Sequence, residues 1–218
     1  MAQSKLLNSG KFENFASENK IFIMDTFASE TTNEMIGNLA DIVMSIEPQP
    51  IYQVNGKINS PYELDYATRP VIDVFINSGG GDGFILNSII SLLSIAKSRG
   101  AIIRTTVIGR AASCASMLAI TGTPGYRIMY DQSYHLVHFG SHNLRATKSD
   151  EIDSSAQHIK HMTADKNGLY LKNTNIKPNE LKKLQSNEKG YVYSKECLDK
   201  GLCDWIIDEC GNLTGRQH

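Results

Sequence analysis

The sequence predicts an α/β protein built on a parallel sheet, and two consecutive strand-turn-helix units carry that prediction. In the first unit Val71-Ile72-Asp73-Val74-Phe75-Ile76 is a buried-strand run, Asn77 to Gly83 is a glycine turn, and Ile85, Ile89, Leu92, Leu93 and Ala96 recur at helical spacing. In the second, Ala101 to Ile108 is a strand that runs through small residues, Gly109 to Met117, into an apolar helical pattern. Strands joined through helices pair in parallel by right-handed crossovers. A third observation, an amphipathic pattern from about Ser149 to Lys172, adds one long helix.

The remaining elements follow in chain order. Residues 1–19 are polar apart from a few side chains such as Phe12 and Phe15, and are expected to form a mobile N-terminal arm. Ile21 to Met24 reads as a strand. Thr31 and Glu34 have the spacing of a capping box, and Ile36, Leu39, Ala40, Val43 and Ile46 mark an amphipathic helix that Pro48 ends. Over 49–70 the pattern breaks, and Asn55-Gly56 signals a tight hairpin inside a surface insertion. Gly100 sits where a helix C-cap glycine belongs. Beyond the second unit, short strands are expected around Arg127-Ile128-Met129 and from Tyr134 to Phe139. The long helix then presents Ile152, Ala156, Ile159, Met162 and Leu169. A strand at Tyr191-Val192-Tyr193, a helix with Cys197 and Leu198, and a strand at Trp205-Ile206-Ile207 close the chain. One domain over 20–208 with a tail over 209–218 is the simplest division.

Composition removes several function classes. The chain has 218 residues and a formal charge of -1, so no broad basic face argues for nucleic acid. There is no apolar stretch of membrane-spanning length and no signal peptide. Cys114, Cys197, Cys203 and Cys210 lack metal-knuckle spacing, so no metal is expected and a reducing cytoplasm is the expected compartment. In that compartment Asn212-Leu213-Thr214 is a chance glycosylation pattern.

Three segments could carry chemistry. Ser113, in the turn of small residues, is the candidate nucleophile, although a serine at a helix start, read alone, is more often a plain N-cap. The run Gly79-Gly80-Gly81 lacks the lysine and hydroxyl of a P-loop and does not give GxGxxG. It offers either exposed amides for an oxyanion or a tight strand-to-helix turn. His138 is the preferred base, because strand alternation puts His135 and His138 on opposite faces and lets at most one of them reach the serine. His158 and His161 lie three apart on the long helix without a third ligand, and His142 belongs to a loop. Cys114 would turn away from a cleft that Ser113 faces, although its amide could still serve an oxyanion.

Taken in order, these segments resemble the Clp protease proteolytic-subunit family, ClpP, within the ClpP/crotonase superfamily. Phe75 to Gly81 resembles that family's Ile-Asn-Ser-Pro-Gly-Gly turn, and Gly109 to Cys114 its Gly-x-Ala-Ala-Ser-Met nucleophile turn. Ser133 to His138 is similar to its Ser-Arg-Ile-Met-Ile-His, Ser154 to Ile159 to the start of its protruding handle helix, and Gly201-Leu202-Cys203-Asp204 to its closing Gly-Leu-Val-Asp. The likeness covers roughly residues 20–208 apart from the insertion.

The resemblance implies a serine endopeptidase subunit that acts on unfolded polypeptide. In it Ser113 is the nucleophile, His138 the base, and the Gly81 and Cys114 amides form the oxyanion hole. It implies a homo-oligomer of heptameric rings stacked in pairs, an ATP-dependent Clp unfoldase as partner, and no cofactor. The chain departs from the family at Gly79, where the family has proline, and at Phe139-Gly140, where it has Gln-Pro. Lys189 stands where the family carries its triad aspartate, and Glu188 and Asn187 are the neighbouring substitutes. A lysine cannot orient a histidine, so a catalytically impaired structural subunit that still assembles and binds partners is the alternative. An acyl-CoA enzyme of the crotonase branch is a third reading, which the serine and histidine at protease positions disfavour.

Overall fold

Nine strands form one sheet in the order β1-β2-β3-β4-β5-β8-β9, and β6 and β7 branch from β4. The strands are β1 Phe15–Ser17, β2 Lys20–Ile23, β3 Val71–Ser78, β4 Ile102–Ala112, β5 Arg127–Tyr130, β6 Tyr134–Leu136, β7 Tyr191–Tyr193, β8 Trp205–Ile207 and β9 Leu213–Gly215. The helices are α1 Ser29–Ser45, α2 Gly83–Ser98, α3 Cys114–Ile120, α4 Ser149–Asn173, α5 Pro178–Ser186 and α6 Ser194–Lys200. The computed structural model describes residues 14–48, 60–62, 69–138, 149–186 and 190–215.

The predicted parallel pairing holds throughout the central sheet. β2, β3, β4, β5 and β8 run parallel, as do β4 and β6, while β1, β7 and β9 add antiparallel edges. Branched apolar side chains of the central strands, Ile21, Ile23, Val74, Ile76, Ile103 and Val107, are buried in one core with Leu39, Val43, Leu86, Ile89 and Leu93 of the helices. Burial of each such side chain stabilises the fold by roughly 1.5–3 kcal/mol.

Several expectations shift. The arm expected over 1–19 ends before residue 19, because Phe15–Ser17 pairs with Lys20–Phe22 and the buried Asn14 side chain accepts from the Met24 and Asp25 amides at 2.9 Å each. The tail expected over 209–218 is partly structured, because β9 completes a hairpin on β8. α1 starts at Ser29, before the predicted cap at Thr31, and its buried face is Thr32, Met35, Leu39, Val43 and Ile46. β6 stops at Leu136, and Phe139, Gly140, His142 and all of the insertion except 60–62 and 69–70 lie outside the described residues. α5 was not foreseen. Its Pro178 occupies the first helical position and Glu180 its first turn, as helix starts favour.

One irregularity decides where the site forms. β3 and β4 pair evenly up to Ile76 with Val107, and the next pair is Ser78 with Ala111, so β4 carries extra residues at 108–110. A bulge of this kind bends its strand and raises the local twist. The Asn77 side chain stands 2.7 Å from where a Cβ on Gly109 would be, and it accepts from the Arg110 amide at 3.3 Å. Below the bulge Thr105–Val107 pairs with β5; above it Arg110–Ala112 pairs with β6. The strand predicted to end at Ile108 therefore runs to Ala112, and the chain reverses at Ser113 alone.

Candidate active site

Ser113 has φ 54° and ψ -121°, one of two positive-φ residues other than glycine among the described residues. Such a conformation costs roughly 1–3 kcal/mol and persists only where its surroundings hold it. Those surroundings are visible. The Ser113 amide donates to Leu136 O at 2.9 Å, and its carbonyl accepts from Met117 N at 3.2 Å. Although it occupies the N-cap position of α3, its side chain makes no capping bond, so the ordinary explanation for a serine there does not apply.

α3 is only seven residues long and every one is buried. At its far end Thr121 Oγ1 donates to Leu118 O at 2.7 Å, Thr105 Oγ1 to Ala119 O at 2.8 Å, and the Lys97 ammonium to Thr121 O. Burial, with the nearby Arg127 and Lys172 charges, pushes the Lys97 ammonium down to about 8. A helix too short to be stable alone is thus fixed by tertiary bonds.

The glycine turn closes against the serine. Gly80 has φ 92°, and a Cβ there would lie 2.6 Å from Ala112 O, 2.8 Å from Ser113 Cβ and 3.0 Å from Cys114 N. Gly81, with φ 139°, is pressed on its other side against the Phe27 backbone. The Phe27 amide donates to Gly80 O at 2.7 Å, and Asp82 N donates to Phe27 O at 2.9 Å. The Gly80 amide is spent on Ser78 Oγ at 3.1 Å. The Gly81 and Cys114 amides make no hydrogen bond among the described residues. Only glycine fits this double constraint of angle and space. Sequence singled out Gly81 for its amide; the glycine that touches Ser113 is Gly80.

Cys114 is buried, and its thiol donates to Gly81 O at 3.1 Å. Burial raises the thiol above its ordinary value, with the Lys166 charge the first influence pulling the other way. A neutral thiol already engaged with a carbonyl is a packing group, as its helical position suggested.

The parallel register of β4 and β6 brings His138 near. Arg110, Ala111 and Ala112 face Tyr134, His135 and Leu136, so His138 follows two residues after the carbonyl that holds the Ser113 amide. His138 is half-buried, and its ring is not hydrogen-bonded to the Ser113 hydroxyl. Gly190 O accepts from Val137 N at 2.8 Å, which brings the start of β7 beside His138. Asn187, Glu188 and Lys189 lie outside the described residues.

The handle-like α4 runs past the glycine turn. The ring of its His158 stacks on Phe84 at 6.4 Å, and its Lys166 ammonium and Met162 methyl each stand 3.7 Å from where a Gly83 Cβ would be. Ala156, Ile159, Met162 and Leu169 of the predicted stripe are only half-buried, and the Ile152 side chain lies outside the described ones; among the described side chains of α4, Tyr170 is the buried one.

Sequence reasoning missed a second serine-histidine pair. Ser116 Oγ lies 2.9 Å from His135 Nδ1, and Tyr170 donates to Ser116 Oγ at 2.9 Å. All three residues are buried, and His135 Nε2 is the one buried side-chain nitrogen or oxygen without a hydrogen-bond partner among the described residues. With Tyr170 donating to Ser116, the arrangement with fewest unpaired groups sends the serine proton to Nδ1 and leaves the ring proton on Nε2. Burial, helped by the Arg127 charge, pushes the His135 imidazole down to about 3, and burial raises the Tyr170 hydroxyl. Leaving one buried donor unpaired costs about 1–3 kcal/mol.

Arg127 and Asp204 tie the region to the closing segment. Arg127 Nε donates to Asp204 Oδ2 at 2.8 Å, and its Nη1 donates to Gly201 O at 2.9 Å and to the α4 terminus at Asn173 O, 2.5 Å.

Comparisons with known proteins converge. The model of the Clp protease family matches residues 65–210. The chain is similar to an ATP-dependent Clp protease proteolytic subunit of Deinococcus radiodurans, 30% identical over 145 residues, covering 66% of this chain and 68% of the relative. Two Frankia casuarinae relatives, ATP-dependent Clp protease proteolytic subunits 3 and 2, are 29% and 30% identical over 137 residues. These matches cover 62% of this chain, and 62% and 60% of the relatives.

Proposed function

Because the chain belongs to the Clp protease family, we propose that it is a serine-type endopeptidase subunit in which Ser113 is the nucleophile and His138 the general base. The observation that carries this reading is the strained backbone of Ser113, φ 54°, set against Gly80 with no capping bond to account for it. Strain of this kind at the end of a sheet strand is a nucleophile-elbow feature, exposing the hydroxyl at the sheet edge.

In the proposed reaction Ser113 Oγ attacks the carbonyl carbon of a peptide bond while His138 takes the hydroxyl proton. The Gly81 and Cys114 amides, unspent among the described residues, donate to the oxyanion. As the tetrahedral intermediate collapses the C–N bond breaks and His138 gives its proton to the leaving amine. Water then attacks the acyl-enzyme carbonyl as His138 takes its proton; collapse breaks the ester C–O bond, releases the peptide acid, and His138 returns the proton to Ser113 Oγ. Unfolded polypeptide is the proposed substrate. The half-buried stripe on α4 supports assembly into rings through handle-like helices, with an ATP-dependent unfoldase as the proposed feeder.

The test is covalent labelling. A fluorophosphonate probe is expected to add to Ser113, located by mass spectrometry, with Ser113→Ala unlabelled. Native light scattering is expected to give a particle of many subunits. An assembled protein that takes no label favours the second reading, a catalytically impaired ring subunit, which rests on Lys189 at the family's aspartate position.

A further inference from the structure

Ser113 and Ser116 sit three residues apart at the start of α3, and His135 and His138 sit three apart on the chain that leaves through β6. Ser113 is the N-cap and Ser116 a buried residue of the first turn, so the buried pair lies on the core side of the turn that carries the proposed nucleophile. We propose that the Ser116–His135 hydrogen bond is a positioning device that fixes the distance between the nucleophile turn and the strand end bearing the base, and that Tyr170 locks it to the handle-like helix. This inference rests on the reading of Ser113 and His138 as nucleophile and base.

Three observations carry it. The Ser116–His135 contact, 2.9 Å, joins the two elements that bear the proposed catalytic residues by their side chains, where the backbone bond from Ser113 N to Leu136 O joins them at the turn. Two anchors one turn apart fix an orientation that one anchor would leave free to pivot. Secondly, the pair is kept although it leaves His135 Nε2 buried without a partner, a feature a purely apolar core would avoid. The family motif that this stretch resembles has isoleucine at the position of His135, so the polar pair is a choice of this chain. Thirdly, Tyr170 is the buried residue among the described side chains of α4, and its hydroxyl ends on Ser116. The handle-like helix is thereby connected to the turn that holds Ser113. Where Lys189 replaces an orienting carboxylate, a rigid strand-to-helix spacing holds the imidazole in reach by another route.

The discriminating experiment uses the assembled protein and measures fluorophosphonate labelling of Ser113 together with hydrolysis of a short fluorogenic peptide. Ser116→Ala is expected to slow labelling and kcat by about ten- to a hundred-fold with KM nearly unchanged, as displacement of a nucleophile does. His135→Asn, whose side-chain amide can take the place of Nδ1, is expected to recover most of the rate. The double variant Ser116→Ala/His135→Leu, made in a Tyr170→Phe background so that no buried hydroxyl loses its partner, is expected to melt near the wild-type temperature while remaining slow, which a merely structural pair would not do. A double variant as fast as wild type overturns the proposal, as does wild-type speed in Ser116→Ala. A wild-type protein that takes no label overturns the nucleophile reading itself; a labelled wild type with equally fast variants overturns this inference alone.

Discussion

Two serine-histidine pairs, Ser113 with His138 and Ser116 with His135, share the start of α3 and the segment that runs through β6 to residue 138, yet their surroundings differ. Ser113 and His138 are half-buried and are not bonded to each other. Ser116 and His135 are wholly buried and bonded at 2.9 Å. A base must accept a proton, and an imidazole sealed from water beside Arg127 is held neutral, down to about 3. The closer pair is therefore a sealed, neutral contact, and the looser pair is the one proposed for turnover. Hydrogen-bond distance alone would point to Ser116 and not to the proposed nucleophile.

The largest effect should break the comparison if it is false. Ser113→Ala is expected to lower peptide hydrolysis by at least about 10⁴-fold, while Ser116→Ala leaves measurable turnover. Equal loss in both, with both variants folded, would mean that the buried pair takes part in the chemistry. Next comes the glycine that presses on Ser113. Gly80→Ala places a methyl 2.6 Å from Ala112 O at φ 92°, and is expected to cost about 2–4 kcal/mol in denaturant melts. Displacement of Ser113 should also lower kcat by about 10²-fold. An active, stable Gly80→Ala would show that the turn does not hold the serine.

The pH response separates the pairs by sign. His135 is neutral in the fold down to about 3, whereas an unfolded histidine takes its proton near 6.5. Between these values the unfolded chain binds the extra proton, so the stability contributed by the neutral ring is fully present above about pH 6.5 and is lost as pH falls towards 3. The slope from this one group approaches about 1.4 kcal/mol per pH unit. Denaturant melts at pH 7, 5.5 and 4.5 are expected to show that loss in the wild type and a flatter profile in Ser116→Ala/His135→Leu. Equal slopes in both would remove His135 as the titrating group.

How much of this was legible beforehand follows from where the information sits in the chain. The parallel sheet was readable because branched apolar runs such as Val71 to Ile76 alternate with helical patterns over short distances. β1 and β9 were not, because three-residue edges are defined by their partners, Phe15 facing Phe22 and Leu213 facing Ile207, and not by their own composition. The order Gly81, Ser113, His138 was visible, but the close approach of Gly80 depends on the bulge at 108–110, which no local pattern announces. Ser116 in an apolar helix and Tyr170 beside the expected Leu169 looked like ordinary packing, 54 positions apart. Only the crossing of α3, β6 and α4 makes them neighbours. Helical periodicity placed the buried face of α4 one residue away from where the tyrosine proved to be.

The smallest expected effect is also the sharpest, because the same substitution should have opposite signs at the two serines. At Ser113 a glycine can adopt φ 54° without strain. Relief of roughly 1–3 kcal/mol is partly offset by the greater backbone freedom of glycine in the unfolded chain, about 0.5–1 kcal/mol. Ser113→Gly is therefore expected to be inactive yet more stable by about 1 kcal/mol, a rise of about 2–4 °C in Tm for a chain of this size. Ser116 lies inside α3, where glycine gains nothing from its freedom and leaves Tyr170 and His135 facing a void. Ser116→Gly should lower Tm, because a helix-interior glycine and unpaired buried groups each destabilise. Calorimetry on the two variants decides the matter. If both lower Tm, Ser113 is not strained, and the observation that singles it out as the nucleophile loses its force.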